Sequence, residues 1–245
     1  YGSVVVGTMR DKRPAAGQSI FKTMRRGMGT LIDALVERAA VVPERVESVA
    51  PAEAGWTVFA GGEWMAFDRV VLACGANHAA PLVATLDPRL GELLASVTYS
   101  SSAIWTFGFR REDVPHPLDA FGFLVPARER RAIMACTWLG TKWAERVPAD
   151  KAVFRCFSTD AGVSRDAMLD DLNRLMGIGA TPIFEIAHRW PDSMPQYAVG
   201  HIARVAEMDA RAAAIPGFSL IGNAFHGVGI PDCVRLAKEA AGQIG

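Results

Sequence analysis

Apolar residues recur along this chain with two different periods, and the changes of period divide it. Val46 and Val49 alternate with polar residues between Arg45 and Ala50. GWTVFAGGEWMAF follows, with Gly61-Gly62 between Val58 and Met65, so three short strands are expected, the last two joined as a hairpin. RVVLAC, Arg69 to Cys74, is a continuous apolar run, the pattern of a parallel strand covered on both faces. Residues 78–95 take helical spacing broken at Pro81 and Pro88. From Val97 to Arg110 the period returns to two, with Tyr99, Ser101, Ala103, Trp105, Phe107 and Phe109 on one face of a long strand. Phe121 to Val125, Ala132 to Trp138 and Ala152 to Ser158 repeat the strand pattern. Several strands with no helix between them argue for an antiparallel or mixed sheet. A helix from about Ser164 to Met176, a strand from Ile183 to Trp190 and a helix from His201 to Ala214 complete this part. Nearer the N-terminus, a basic, proline-containing loop at 10–16 precedes a helix carrying Leu31, Ile32, Leu35 and Val36, with Thr30 as its cap.

The last 28 residues hold the most informative stretch. Phe218 to Ile221 reads as a strand; Gly222, Asn223, Gly227 and Gly229 form a turn; Pro231 and Asp232 open a helix through Val234, Leu236, Ala237, Ala240 and Ala241. Glycines let the backbone approach a ligand closely, and the free N–H groups and positive dipole end of a helix favour negative charge. The same features also suit a capped surface helix after a buried strand.

Composition narrows the partners. Lys plus Arg and Asp plus Glu balance at 26 each, so no basic stripe for nucleic acid is expected. The four cysteines are scattered without a C-x-x-C pair, which argues against zinc or a disulfide framework and fits a reducing, cytoplasmic compartment. No apolar run is long enough to cross a bilayer, and peripheral membrane contact is left open. No Ser-His-Asp, paired-carboxylate or metal arrangement stands out, as suits chemistry carried by a cofactor.

The words GNAFHGVGIPDC, MPQYAVGH, GFLVP, CTWLGTKW and VVLACGA together resemble the FAD-dependent amine oxidase superfamily, and within it the protoporphyrinogen oxidase group. The resemblance runs from Tyr1 through Ile244. It implies a partial FAD-binding domain, Rossmann-like and three-layered, plus a substrate-binding domain with a mixed or antiparallel sheet. The corresponding spans are 1–96 for the first part of the FAD-binding domain, 97–200 for the substrate domain and 201–245 for the return. Flavin contacts implied by the resemblance are Val46, Ala73, Trp190, Gly222, Asn223, Gly227, Val228 and Gly229. Val46 also reads as plain strand burial and Trp190 as a core aromatic at a strand end. Phe123, Leu124 and Trp138 are expected to wall an apolar cleft for the tetrapyrrole, or else to be sheet core. Arg128, Lys142, Arg146 and Arg204 are candidates for its propionates. His226 is expected to hydrogen-bond flavin or water, and no catalytic residue is assigned.

Departures from the group's pattern are Arg26 for a usual glycine, and Cys74-Gly75 for Thr-Pro. No strand followed by G-x-G-x-x-G is present. The resemblance therefore implies the C-terminal portion of an enzyme converting protoporphyrinogen IX or coproporphyrinogen III to the porphyrin, with oxygen or another acceptor reoxidising FAD, and homodimerisation open. The isolated chain is expected to be inactive. The alternatives are a folded module unable to hold FAD alone, and another flavin amine oxidase such as a desaturase.

Overall fold

The computed structural model describes residues 22–143 and 145–243, so the basic loop expected at 10–16 lies outside the described residues. Residues 1–45 form one compact unit and 46–245 another. In the first, a turn closed by Gly27 N–H donating to Met24 O leads into helix α1, Gly29–Val36. Gly27 takes φ +96°, so Arg26-Gly27 forms the helix-entry turn. Met28 stands at the cap position without a side-chain bond, and Thr30 lies inside the helix rather than capping it.

The second unit begins with the expected meander. Strands β1 (Val46–Pro51), β2 (Trp56–Ala60) and β3 (Glu63–Phe67) pair antiparallel in sequence order. Strand β4, Val70–Leu72, follows; Ala73, Cys74 and Gly75 lead from its end into helix α2, Ala76–Val83. Helix α3, Pro88–Ala95, is capped by the Asp87 carboxylate, which accepts the Leu90 N–H, with proline at the first helical position where its missing donor costs nothing.

A five-stranded antiparallel sheet comes next, in the order β6, β7, β8, β5, β9. Its strands are β5 (Tyr99–Arg110), β6 (Gly122–Leu124), β7 (Ala135–Trp138), β8 (Lys151–Ser158) and β9 (Phe184–Pro195). The short helix α4, Leu139–Lys142, follows β7. Helix α5, Arg165–Met176, starts at the Ser164 cap and ends at Gly177, which takes φ +70°. Strand β9 runs five residues beyond the expected end at Trp190 because it is an edge strand, where Pro191 and Pro195 leave no interior ladder bond unmade. Between the pairs Ser100–Met194 and Ser102–Trp190 the register shifts, with Pro191, Asp192 and Ser193 of β9 facing Ser101 alone, and the Asp192 N–H donates to Ser101 Oγ across the irregularity.

The chain then returns through helix α6 (His201–Ala213), strand β10 (Phe218–Leu220) and helix α7 (Ile230–Gly242). Strand β10 pairs with β4 in parallel, so their carboxyl ends point the same way. Two cores result. One gathers Trp56, Leu72, Val83, Leu90, Leu94, Met208, Phe218 and Phe225 around the parallel pair. The other buries one face of the five-stranded sheet, through Trp105, Phe107, Phe109, Phe154 and Trp138, against Met168, Leu172 and Met176 of α5.

Candidate functional site

Strands β4 and β10 each end in a glycine turn and continue into a helix, so the starts of α2 and α7 follow the same edge of the parallel pair. That edge, beyond the carboxyl ends of parallel strands, is where α/β sheets hold ligands. The two helix starts are not equivalent. At α2, the Ala76 N–H donates to the Tyr99 hydroxyl at 2.6 Å, and burial pushes the Tyr99 phenol up against the opposing effect of that bond. At α7, the first-turn N–H groups have no intrahelical partner, and the flanking Val228 and Ile230 are exposed. Burial also raises the Cys74 thiol at the end of β4, so it is a poor source of thiolate.

The turn between β10 and α7 is held from outside by MPQYAVGH. The Tyr197 hydroxyl donates to Asn223 O at 2.8 Å and receives the Gly227 N–H at 3.0 Å. His201 Nε2 lies 2.9 Å from Phe225 O; a carbonyl only accepts, so the ring proton sits on Nε2. The two rings stack at 3.8 Å between centroids, and His201 Nδ1 is left buried with no partner among the described residues. One sequence word thus serves as the clamp for another. Tyr197→Phe removes both ends of that clamp, and the Gly227 amide is then expected to exchange its hydrogen at least tenfold faster by NMR. Unchanged exchange would mean the turn holds its shape without Tyr197.

Gly222 takes φ +144° beside the Cys74 and Ala73 carbonyls, and Gly227 takes φ +134°. A β-carbon on Gly227 would stand 2.4 Å from the Asp232 carboxyl carbon, so that glycine makes room for an acid folding back over the start of α7. Gly229 has an ordinary φ of −77°. Backbone conformation thus calls for glycine at 222 and 227 but not at 229. His226 turns toward α6, its Nε2 2.9 Å from Asp209 Oδ2.

The second part of the site is the open face of the five-stranded sheet. Strand alternation puts Val153, Arg155 and Phe157 of β8 on the side away from α5, in register with Ile104 and Thr106 of β5 and with Ala135 and Thr137 of β7. Leu124 and Gly122 continue those rows on β6, and Phe184, Ile186, His188 and Trp190 continue them on β9. Leu124 is 81% exposed and Trp190 is 50% exposed. Trp190 lies opposite Ser102, three residues from Tyr99 and hence roughly 10 Å along the strand from the cradle. Strand β5 thus runs from the cradle, at Tyr99, into the sheet that carries this face.

Among the sequence-derived candidates, Ala73, Gly222, Asn223, Gly227, Val228 and Gly229 gather at the strand ends. Val46 sits apart, at the start of β1 opposite Ala60. The wall residues split. Leu124 faces the open side, whereas Trp138 and Phe123 lie on the covered face, Trp138 only 4% exposed with its ring 4.8 Å from His116. Strand parity is the cause: Phe123 pairs with Cys136, and Cys136 and Trp138 are two residues apart on β7. None of the four propionate candidates is placed on that face by the register. Arg128 pairs with Glu129, Lys142 and Arg146 approach the Trp143 ring, and Arg204 lies on α6. Arg155 was missed, although its place between Val153 and Phe157 carries the signal of an out-of-place charge. Cys136 and Cys156, scattered in sequence, meet in register with sulfurs 3.7 Å apart inside the second core.

Among the described residues no cluster could hold a metal ion, and no helix is long and apolar enough to cross a membrane. The family model described as flavin containing amine oxidoreductase matches residues 2–245. Coproporphyrinogen III oxidase of Bacillus subtilis is 28% identical over 98% of this chain and 56% of its own length. Coproporphyrinogen III oxidase of Propionibacterium freudenreichii is 32% identical over 94% and 46%. A crystal structure from Exiguobacterium sp. 255-15, assigned as a protoporphyrinogen oxidase, superposes with a TM-score of 0.79 at 28% identity, over 89% of this chain and 51% of that one. Cyclohexylamine oxidase of Brevibacterium oxydans shares the fold, with a TM-score of 0.63 at 15% identity over 87% of this chain and 51% of that one. The chain thus spans about half the length of the relatives it matches.

Proposed function

Because the chain belongs to the flavin-containing amine oxidoreductase family, we propose that it forms the flavin-edge and substrate-binding parts of an FAD-dependent porphyrinogen oxidase, with coproporphyrinogen III as substrate. The observation that carries this reading is the junction of two surfaces. A glycine cradle at parallel strand ends, whose α7 start has no side-chain cap hydrogen bond among the described residues, is joined through β5 to a sheet with a broad apolar face and an exposed tryptophan at the near end.

The residues fit a flavin in chemical terms. The cradle offers backbone carbonyls at Ala73 and Cys74, a positive helix end at Val228 to Ile230, and close approach at Gly222. FAD bound there would supply the two-electron acceptor, used three times for each porphyrin, with oxygen or another acceptor drawing the electrons off. The chain's own residues have other tasks. Tyr197 and His201 fix the turn, Tyr99 occupies the competing N–H of α2, and the sheet face excludes water from one side of a flat substrate. Within this reading, residues 46–96 and 201–243 serve the flavin and 97–200 the substrate.

The test is turnover. The 245-residue chain is assayed for flavin absorbance and for porphyrin fluorescence from coproporphyrinogen III, alone and mixed with the dinucleotide-binding segment of the Bacillus subtilis relative. Flavin retention and acceptor-dependent porphyrin formation in either preparation supports the proposal. Retained flavin that is reduced by amines and not by porphyrinogens would assign the chain to another branch of the family, and no flavin in either would make it a non-catalytic module.

A further inference from the structure

We propose that Arg155 on the open sheet face is the carboxylate anchor of the substrate site, gripping one acidic side chain of a flat tetrapyrrole whose ring lies on the neighbouring apolar rows; this rests on the porphyrinogen reading above. The face is ordered in rows across the strands. One row runs His188, Ile104, Phe157, Ala135, Leu124; the next runs Ile186, Thr106, Arg155, Thr137, Gly122; a third holds Phe184, Gly108 and Val153. Thr137, Arg155 and Thr106 thus form a short line of hydrogen-bond donors between two apolar rows.

Arg155 stands on the middle strand, exposed, and makes no hydrogen bond or ion pair among the described residues. Its own rows explain why. No acid occupies any of the row positions, so nothing on the face neutralises it. Most other arginines of the second unit are engaged: Arg89 with Glu207, Arg165 with Glu185, Arg174 with Asp171, Arg211 with Asp87 and Arg235 with Glu239.

A lone guanidinium inside an apolar field selects for a ligand that brings both an apolar surface and an anion. Five strands span about 19 Å, enough to lay a tetrapyrrole ring across several of them. Two details shape the surface. The Phe184 ring lies over Gly108, where a β-carbon would stand 2.0 Å from it, so the apolar surface of that row is an aromatic ring laid on bare backbone. At the other edge, Gly122 takes φ +143° and leaves the row beside Thr137 low. Glycine at 108 thus leaves room for the Phe184 ring, and glycine at 122 ends the Arg155 row without a side chain. Because the anchor sits in the middle of the face, a ring placed toward Trp190 puts one acidic arm on Arg155 and leaves other arms at the rim. A substrate with acidic arms on every ring can make that contact in more than one orientation than a two-armed one can.

The experiment uses coproporphyrin III as probe, titrated into the 245-residue chain and followed by its Soret band, at low and high salt, for the wild type, Arg155→Gln, Arg155→Lys and Leu124→Asp. Far-ultraviolet circular dichroism confirms that each variant keeps its sheet. The expected result is about tenfold weaker binding for Arg155→Gln with a flatter salt dependence, partial recovery in Arg155→Lys, and loss of binding in Leu124→Asp. If Arg155→Gln binds like the wild type while Leu124→Asp does not, the ring uses this face but Arg155 is not its anchor. If neither substitution changes binding, or the wild type binds none, the inference falls; the turnover assay above then decides the porphyrinogen reading separately.

Discussion

Gly227→Ala is expected to cost about 1–3 kcal/mol of stability and to lower the flavin retention of flavin-loaded protein, while Gly229→Ala changes neither beyond experimental error. The two residues lie two positions apart in the same turn, so composition does not separate them; geometry does. At Gly227 the backbone has φ +134°, and an added methyl would meet the Asp232 carboxyl carbon and Oδ2, both at 2.4 Å. Either the turn must rotate, breaking the hydrogen bond to the Tyr197 hydroxyl, or Asp232 must leave the start of α7. At Gly229 the φ of −77° suits any residue, and the nearest obstacle to a methyl is the Asp232 carboxylate at 3.2 Å. Urea unfolding gives the first quantity, and flavin absorbance after gel filtration gives the second. Equal behaviour of the two variants would show that the turn is governed by something other than the conformation of Gly227.

The sequence was most readable where one rule acted alone. Period two over 99–110 and the unbroken run at 69–74 each correspond to a strand, because local pattern and tertiary covering agree there. It was least readable where function depends on which face of a strand points where. GFL and ACTW announce strands, but only their register, Phe123 on Cys136 and Leu124 on Ala135, decides that Leu124 looks outward and Trp138 inward. Register is a non-local property, set by strands β8 and β5 beyond them. The same limit hid Arg155, whose row partners come from four other segments spread over residues 106–186. The turn at 222–229 was legible as a glycine turn between a strand and a helix, yet its clamp by Tyr197 and His201 was not, since nothing local links the two words. Extra strand at 191–195 escaped because two prolines imitate a strand end, and only edge position makes them tolerable.

Trp138→Ala is expected to destabilise the protein by about 3–5 kcal/mol, while Leu124→Ala, on the adjacent strand, stays within about 0.5 kcal/mol of the wild type. Both side chains belong to the same hairpin, β6 and β7, and both look alike in a hydropathy profile. Trp138 is packed into the second core with Phe154 directly opposite it on β8 and the His116 ring against its face. Its indole N–H is buried without a partner among the described residues, so the loss on truncation is that of apolar area plus the cavity left behind. Leu124 already spends 81% of its surface in water and has little burial to lose. Porphyrin binding should divide the other way. Leu124→Ala weakens it by removing contact from the apolar row, and Trp138→Ala, at temperatures where it remains folded, leaves the affinity near the wild-type value, because the core residue never touches the ligand. Urea midpoints and Soret titrations of the two variants check both halves. A Trp138→Ala protein of normal stability and impaired porphyrin binding would reverse the assignment of the two faces, and with it the side of the sheet on which the substrate lies.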